Sequence, residues 1–315
     1  MNIIYDIIKK EIISNTTDNN DLRQQLLSHL NILNEQKLNI LFVGATGVGK
    51  SSTINAIFDR NISTVGEWVY PETSVISKYE IDNLILWDSP GFGDSPENDK
   101  KYAKSIASLL TAKEDSGEFL IDAIVVILDA SSRDMGTAYE MLNKIIIPYL
   151  GDKSRIVIAI NKADLAMYGR NWDNENNVPN TVLLNHLEEK VSSVSRQIYE
   201  SSGIQSECVY YSAHYKYNIS KLLLAAMNAI PVEKRFMVVS GLNKDPEIWK
   251  NNDNNKEYSA EIRKSIEFSL TSALKGAEAG AIAGASIGKL VPIIGPIIGA
   301  AVGAALGFWG GLFGK

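Results

Sequence analysis

The sequence predicts a doubly wound α/β domain with a mostly parallel sheet, carrying additional helices before and after it. Three observations predict it. Short apolar runs lie at 38–43 and 84–88, nearly continuous ones at 121–129 and 155–160, as buried parallel strands require, and a last strand at 207–211. Helix-forming stretches alternate with the later runs, and parallel pairing needs such crossovers. A glycine-rich turn joins the first run directly to a helix-forming segment.

Two amphipathic helices are expected in 1–36. Ile3, Ile4, Ile7, Ile8 and Ile12 form one apolar stripe at helical spacing, and Leu22, Leu26, Leu30 and Leu33 form another. The polar stretch 14–20 between them reads as a turn. The α/β domain is assigned to 37–235. Its elements are a strand at 38–43, an alternating edge strand at 75–81, and strands at 84–88, 121–129, 155–160 and 207–211. Helices are expected near 135–147, where Pro148 stops the helix, at 181–199, and at 221–230 before Pro231. Residues 236–264 read as a polar linker with some helix, with an exposed loop around Asn251–Asn255. Residues 265–315 read as a glycine-rich hydrophobic hairpin.

Composition is ordinary for a globular protein, at 22% charged and 45% hydrophobic residues. The net charge of −6, without a basic block, argues against a nucleic-acid partner. With Cys208 the only cysteine, no intrachain disulfide can form, which suits a reducing compartment. Charges at Asp6, Lys9, Lys10 and Glu11 break the N-terminal apolar run, unlike a signal peptide. A cytoplasmic location is expected.

Gly44-Ala45-Thr46-Gly47-Val48-Gly49-Lys50-Ser51 reads G-x-x-x-x-G-K-S between a strand and a helix that continues through Ser52. This is the context of a phosphate-binding loop, whose glycines let backbone N–H groups turn inward around a polyphosphate at a helix N-terminus. Lys50 would reach the β- and γ-phosphates, and Ser51 would hold Mg²⁺. Downstream lie Asp88-Ser89-Pro90-Gly91, then Asn161-Lys162-Ala163-Asp164, then Ser212-Ala213-His214, each after an apolar run.

In this order the motifs resemble those of P-loop GTPases of the translation-factor-related class, close to the Era-like and YfjP/YeeP-like bacterial GTPases. The resemblance covers 37–231 and implies GTP/GDP and Mg²⁺ as ligands. It implies that Asp88 serves Mg²⁺ through water, that the Gly91 N–H senses the γ-phosphate, and that Asp164 accepts hydrogen bonds from guanine N1–H and the 2-amino group. Asn161 would secure the base edge, the Lys162 stem would lie over the ring, and the Ala213 N–H would meet guanine O6. His214 departs from the usual Lys. The switch I threonine, a Mg²⁺ ligand, falls at Thr73, with Ser74 and Thr64 as competing assignments. Phe92 stands where related enzymes place a water-orienting Gln. Slow intrinsic hydrolysis is therefore expected, raised by a partner or a nucleotide-dependent homodimer. Arg133 is either a charge supplied in trans or a solvated loop residue paired with Asp134.

Glycine recurs every four residues at 276, 280, 284 and 288, and again at 295, 299, 303 and 307. On a helix each run makes a smooth strip where another backbone can approach. Leu290–Gly314 is 25 residues without a charge, and about 20 span a bilayer. Membrane contact through 276–314 is expected, against the alternative of a buried helical pair in a soluble helical module. The layout is also similar to immunity-related and dynamin-like GTPases, which implies a membrane-active effector gated by GTP. A ribosome- or RNA-associated role, common among Era relatives, fits the acidic charge less well.

Overall fold

A computed structural model describes residues 3–17, 19–59, 63–67, 76–93, 95–132, 135–253, 255–281, 295–300 and 302–303. Two antiparallel helices, α1 (Ile3–Asn15) and α2 (Asn20–Glu35), precede the sheet. The strands are β1 (Leu38–Gly44), β2 (Ser63–Glu67), β3 (Ser77–Ile81), β4 (Leu84–Asp88), β5 (Ala123–Asp129), β6 (Ile156–Asn161) and, after the small hairpin β7 (Trp172–Asp173) and β8 (Val178–Pro179), β9 (Glu207–Tyr210). Their order in the seven-stranded sheet is β2-β3-β4-β1-β5-β6-β9. Pairing is parallel from β4 through β9 and antiparallel for β2 and β3.

Alternate residues of the central strands enter two separate cores, as the two-residue strand period requires. Leu38, Ile40, Phe42, Val125, Ile127, Val157 and Ala159 face one core. Leu41, Val43, Ile124, Val126, Ile158 and Ile160 face the other. The second core is covered by α4 (Pro96–Thr111), α5 (Gly136–Met141) and α6 (Thr181–Ser202). Helix α4 is not among the expected elements, although its start is marked: Ser95 Oγ accepts the Asn98 N–H at 3.2 Å and Pro96 occupies the first turn. The helix expected near 135–147 is α only to Met141. It widens to a π turn at Leu142–Ile146 and tightens at Ile147–Tyr149, where Pro148 cannot donate a backbone N–H.

The first core joins segments far apart in sequence. Beneath the sheet lie α3 (Lys50–Ile57), α7 (Ile219–Ala229), a 3₁₀ segment at Val232–Gly241, and α9 (Asn255–Ala281). Side chains of α1 and α2 (Ile8, Ile12, Leu26, Leu30) belong to the same cluster as Ile262, Ile266 and Leu270 of α9. His29 of α2 is bonded to the Ala273 carbonyl at 2.7 Å. The N- and C-terminal helices thus share one continuous core with the sheet.

The stretch 236–264, expected as a polar linker with some helix, is packed into the fold. Leu242, Ile248 and Trp249 are buried, the last two on the short helix α8 (Glu247–Lys250). Asparagine and aspartate side chains hold the rest: Asn251 Nδ2 donates to the Asn177 carbonyl (2.7 Å), and Asp253 accepts from Lys221 (2.9 Å) and Tyr210 (3.2 Å). One helix, α9, runs across the expected boundary at 264.

Residues 295–300 and 302–303 are helical. Ile297, Ile298 and Val302 are buried in the first core. The close backbone approach expected along the glycine strip is not found at Gly295, Gly299 or Gly303, where an added Cβ would meet open space. The burial instead uses the isoleucine and valine face. The remainder of the two glycine runs, apart from the backbone of Gly276 and Gly280 in α9, lies outside the described residues. No helix among the described residues is long and apolar enough to cross a membrane.

Candidate functional site

The site gathers at the C-terminal ends of β1, β4, β6 and β9, where ligands bind in open α/β sheets. β1 delivers the loop Ala45–Gly49, and α3 starts at Lys50. Gly49 has φ +95°, and a Cβ there would lie 2.4 Å from Asn161 Nδ2. Only glycine fits this position, for backbone conformation and for space. Lys50 is nearly buried, and its ammonium donates to the carbonyls of Gly44 (3.3 Å) and Ala45 (3.1 Å), which holds the charge inside the loop.

Ser51 Oγ donates to Asp88 Oδ2 at 2.7 Å. Asp88 ends β4 and is 8% exposed. Burial raises its carboxyl above the ordinary carboxylate value, against the opposing effects of the Ser51 bond and the Lys50 charge. The other oxygen, Oδ1, is buried without a hydrogen-bond partner. An orphaned carboxylate oxygen beside a serine hydroxyl and the phosphate loop suits a hard divalent cation, which takes oxygen ligands. Ser51 and Asp88 fit the Mg²⁺ role expected of them.

The segment after Asp88 is pressed onto the phosphate loop. Phe92 N–H donates to the Gly44 carbonyl (3.3 Å), and Thr46 N–H donates to the Phe92 carbonyl (2.9 Å). Gly91 sits so close that a Cβ would lie 2.4 Å from Thr46 Cα. The Thr46 amide, expected to face a polyphosphate, is thus committed to Phe92. The phenyl ring is 4% exposed and meets Tyr102 edge-on, with centroids 6.3 Å apart. Phe92 is therefore a core residue that anchors the Asp88–Gly91 loop.

The phosphate loop and the Ser212–His214 loop meet at Asn161. Its Nδ2 donates to the Val48 carbonyl at 2.9 Å, and its Oδ1 accepts the Ala213 N–H at 3.0 Å. One side chain so joins the phosphate loop to the Ser212–His214 loop. The Ala213 N–H expected at guanine O6 is engaged here by Asn161. Ser212 Oγ donates to Asp164 Oδ1 at 2.6 Å, which leaves Asp164 Oδ2 available. Lys162 is left-handed at φ 62°, and its ammonium meets Asp129 Oδ2 at 2.7 Å. Burial alone would raise the Asp129 carboxyl, but the bonds from Lys162 and Ser131 outweigh it and hold it below the ordinary value. Asp129 carried no signal in the sequence beyond its place at a strand end. His214 meets Tyr215 edge-on and, with Ser52, Asn55, Lys216 and Asn243, lines a cleft of about 530 Å³.

Thr73, Ser74 and Arg133 lie outside the described residues. Thr64 is on β2, paired with Tyr79 of β3.

Residues 39–162 match the family model described as 50S ribosome-binding GTPase. This segment matches a P-loop GTPase domain. Cell division control protein 10 of Candida albicans is 27% identical over 152 residues, covering 41% of this chain and 42% of that protein. The chain thus spans less than half the length of the curated relative it matches. Among solved structures, the chain is similar to Era of Aquifex aeolicus (18% identical, 62% of this chain and 57% of that one, TM-score 0.38). The bacterial dynamin GTPase LeoA from ETEC is similar over 88% of this chain and 46% of its own, at 17% identity and TM-score 0.41.

Proposed function

We propose that the protein binds GTP and GDP with Mg²⁺ and slowly hydrolyses GTP to GDP and phosphate as a nucleotide-controlled switch. The observation that carries this is the Asn161 side chain, bonded to Val48 on one side and Ala213 on the other. It brings the Lys50 end and the Asp164 end of a nucleotide site into one cradle. Asp164 can pair with guanine N1–H and its 2-amino group. Adenine offers no such donors, and a buried acceptor left unpaired costs about 1–3 kcal/mol. Bound Mg²⁺ would neutralise charge on the phosphates, held by Ser51 and Asp88. Lys50 and the amides at the start of α3 stabilise the charge that develops as water attacks the γ-phosphate in line.

Phe92 cannot orient that water from the core, which supports a slow intrinsic rate raised by self-association or a partner. Turnover of GTP against ATP tests the base preference. Turnover per molecule across a range of protein concentrations tests self-association. A fast rate independent of concentration contradicts the slow-switch reading.

As the output of the switch, we propose reversible membrane contact through 276–314. Support comes from the 25 uncharged residues Leu290–Gly314, of which Ile297, Ile298 and Val302 pack in the core that α3 and α9 share. Nucleotide-driven rearrangement near α3 would loosen these side chains and expose them. Liposome co-sedimentation of the full chain with GDP and with a non-hydrolysable GTP analogue tests this. Identical recovery in the supernatant with both nucleotides contradicts it.

A further inference from the structure

Asn161 is one bridge between the phosphate loop and the guanine loops, and Tyr211 supplies another. The second runs through the core. Tyr211 immediately precedes Ser212-Ala213-His214 and is fully buried. Its hydroxyl lies 2.6 Å from Thr53 Oγ1, which is also fully buried. Thr53 sits one turn into α3, and its Oγ1 is bonded to the Gly49 carbonyl at 2.8 Å. A threonine hydroxyl has one proton, and a carbonyl can only accept. Thr53 therefore donates to Gly49, and Tyr211 must donate to Thr53. The direction of the chain is fixed: Tyr211 to Thr53 to the carbonyl of Gly49.

The backbone of Tyr211 is equally committed. Its N–H donates to the Ile160 carbonyl at 2.9 Å, and its carbonyl accepts the Ala163 N–H at 3.0 Å. Those two residues flank Asn161-Lys162. Tyr211 thus holds the Asn161–Asp164 motif through its main chain and the phosphate loop through its hydroxyl. Burial also raises the phenol well above its ordinary value, so the hydroxyl remains a donor at physiological pH.

We propose that Tyr211 is a positioning residue, whose hydroxyl bond to Thr53 sets the separation between the phosphate loop and the guanine loops. It tunes affinity for a ligand that must span both. This rests on the guanine-nucleotide reading above. A ligand engaging only one half should not sense the bond, whereas GDP and GTP should.

The test measures dissociation constants and release rates for GDP and GTP, with guanosine and pyrophosphate as one-sided probes. Full-length wild type is compared with Y211F, T53A, T53S and Y211F/T53A. Losing one neutral hydrogen bond predicts GDP and GTP binding about fivefold to tenfold weaker in Y211F, through faster release. T53A should weaken binding at least as much, and the double variant should be no weaker than T53A, since both changes remove the same bridge. T53S keeps the hydroxyl and should restore wild-type affinity. Guanosine and pyrophosphate binding should change less than twofold.

If Y211F binds GDP as wild type does, or loses only thermal stability, the positioning role is overturned. Equal weakening of the one-sided probes also overturns it, because that marks general loosening. Should Y211F not fold, T53A decides, and wild-type GDP affinity there overturns the proposal. A wild type that does not prefer GDP to ADP defeats the guanine reading itself, independently of Tyr211.

Discussion

Asp88 is costly where it stands. Its carboxylate is buried, one oxygen has no partner, and its proton affinity is raised. Asp88→Asn should leave the ligand-free protein as stable or more stable in thermal melts, while Mg²⁺-dependent nucleotide binding is lost. Lys50→Ala should lower GTP turnover by about 100-fold or more, the scale for removing one preorganised charge-stabilising group. Gly49→Ala forces a Cβ toward Asn161 at a left-handed position. A cost of about 1–2 kcal/mol in the backbone alone should lower Tm by roughly 2–8 °C, with loss of nucleotide binding. Phe92→Gln should not accelerate hydrolysis, because the side chain at that position points into the core. Asp129 supplies a pH dependence. Its folded carboxyl lies below the ordinary value, so its contribution is present above pH about 4 and fades as pH falls through the folded value. Lys162→Met should remove that part of the acid sensitivity in melts between pH 5 and 3. The motif residues around this site were legible because each group sits at a fixed place relative to a strand end. The Tyr211–Thr53 bond was not, since its partners are 158 residues apart and neither belongs to a motif.

The element that connects the nucleotide site to the rest of the chain is the stretch from Leu242 to Asp253. Asn243 N–H donates to the Ile57 carbonyl at the end of α3, and its side chain donates to the Asn55 carbonyl. Lys216, beside the guanine loop, pairs with Asp245 at 2.9 Å. That pair is exposed and contributes little energy. The firmer anchor is Trp249, 1% exposed, whose Nε1 donates to the Asn243 carbonyl at 2.8 Å. Trp249→Ala should cost about 3–5 kcal/mol. It should also release amide-exchange protection in the first turns of α9 before that of β1 or β5. This anchoring was hidden in the sequence because its asparagines and aspartates, read as loop formers, spend their side chains on backbone carbonyls and on Lys216 and Lys221. Helix α4 was missed for a different reason: Ile106, Leu109 and Leu110 crowd its second half, so the apolar period is short. Strand β2 lies at the sheet edge, beyond the β3 strand that was read as the edge itself.

At the scale of the molecule, the fold is a sheet with two unlike faces. Among the described residues, one face is covered by α4, α5, α6 and the loops around them. The other carries α1, α2, α9 and part of the tail, all in one core. Alternation of strands and helices made the sheet predictable, but nothing local in the sequence records that Ile8 and Leu270 enter the same cluster. The shared core implies that cutting the chain at 264 removes Ile266, Leu270 and Leu274 together. Such a truncation should lower Tm and not merely delete an appendage. Tail function is better tested in the full chain, where Phe308→Asp should abolish any nucleotide-dependent liposome recovery without altering GDP affinity. We propose that Asp164 reads guanine within the cradle Asn161 holds together. Xanthine carries a carbonyl where guanine has its 2-amino group, so Asp164→Asn reverses the hydrogen-bond pattern, while Ser212 can still donate to the remaining oxygen. Affinities of wild type and Asp164→Asn for GDP and xanthosine diphosphate are the most direct measurement. A crossed preference, with each protein favouring its own base by about tenfold or more, is predicted. Equal loss of both nucleotides, or unchanged GDP binding in the variant, contradicts it.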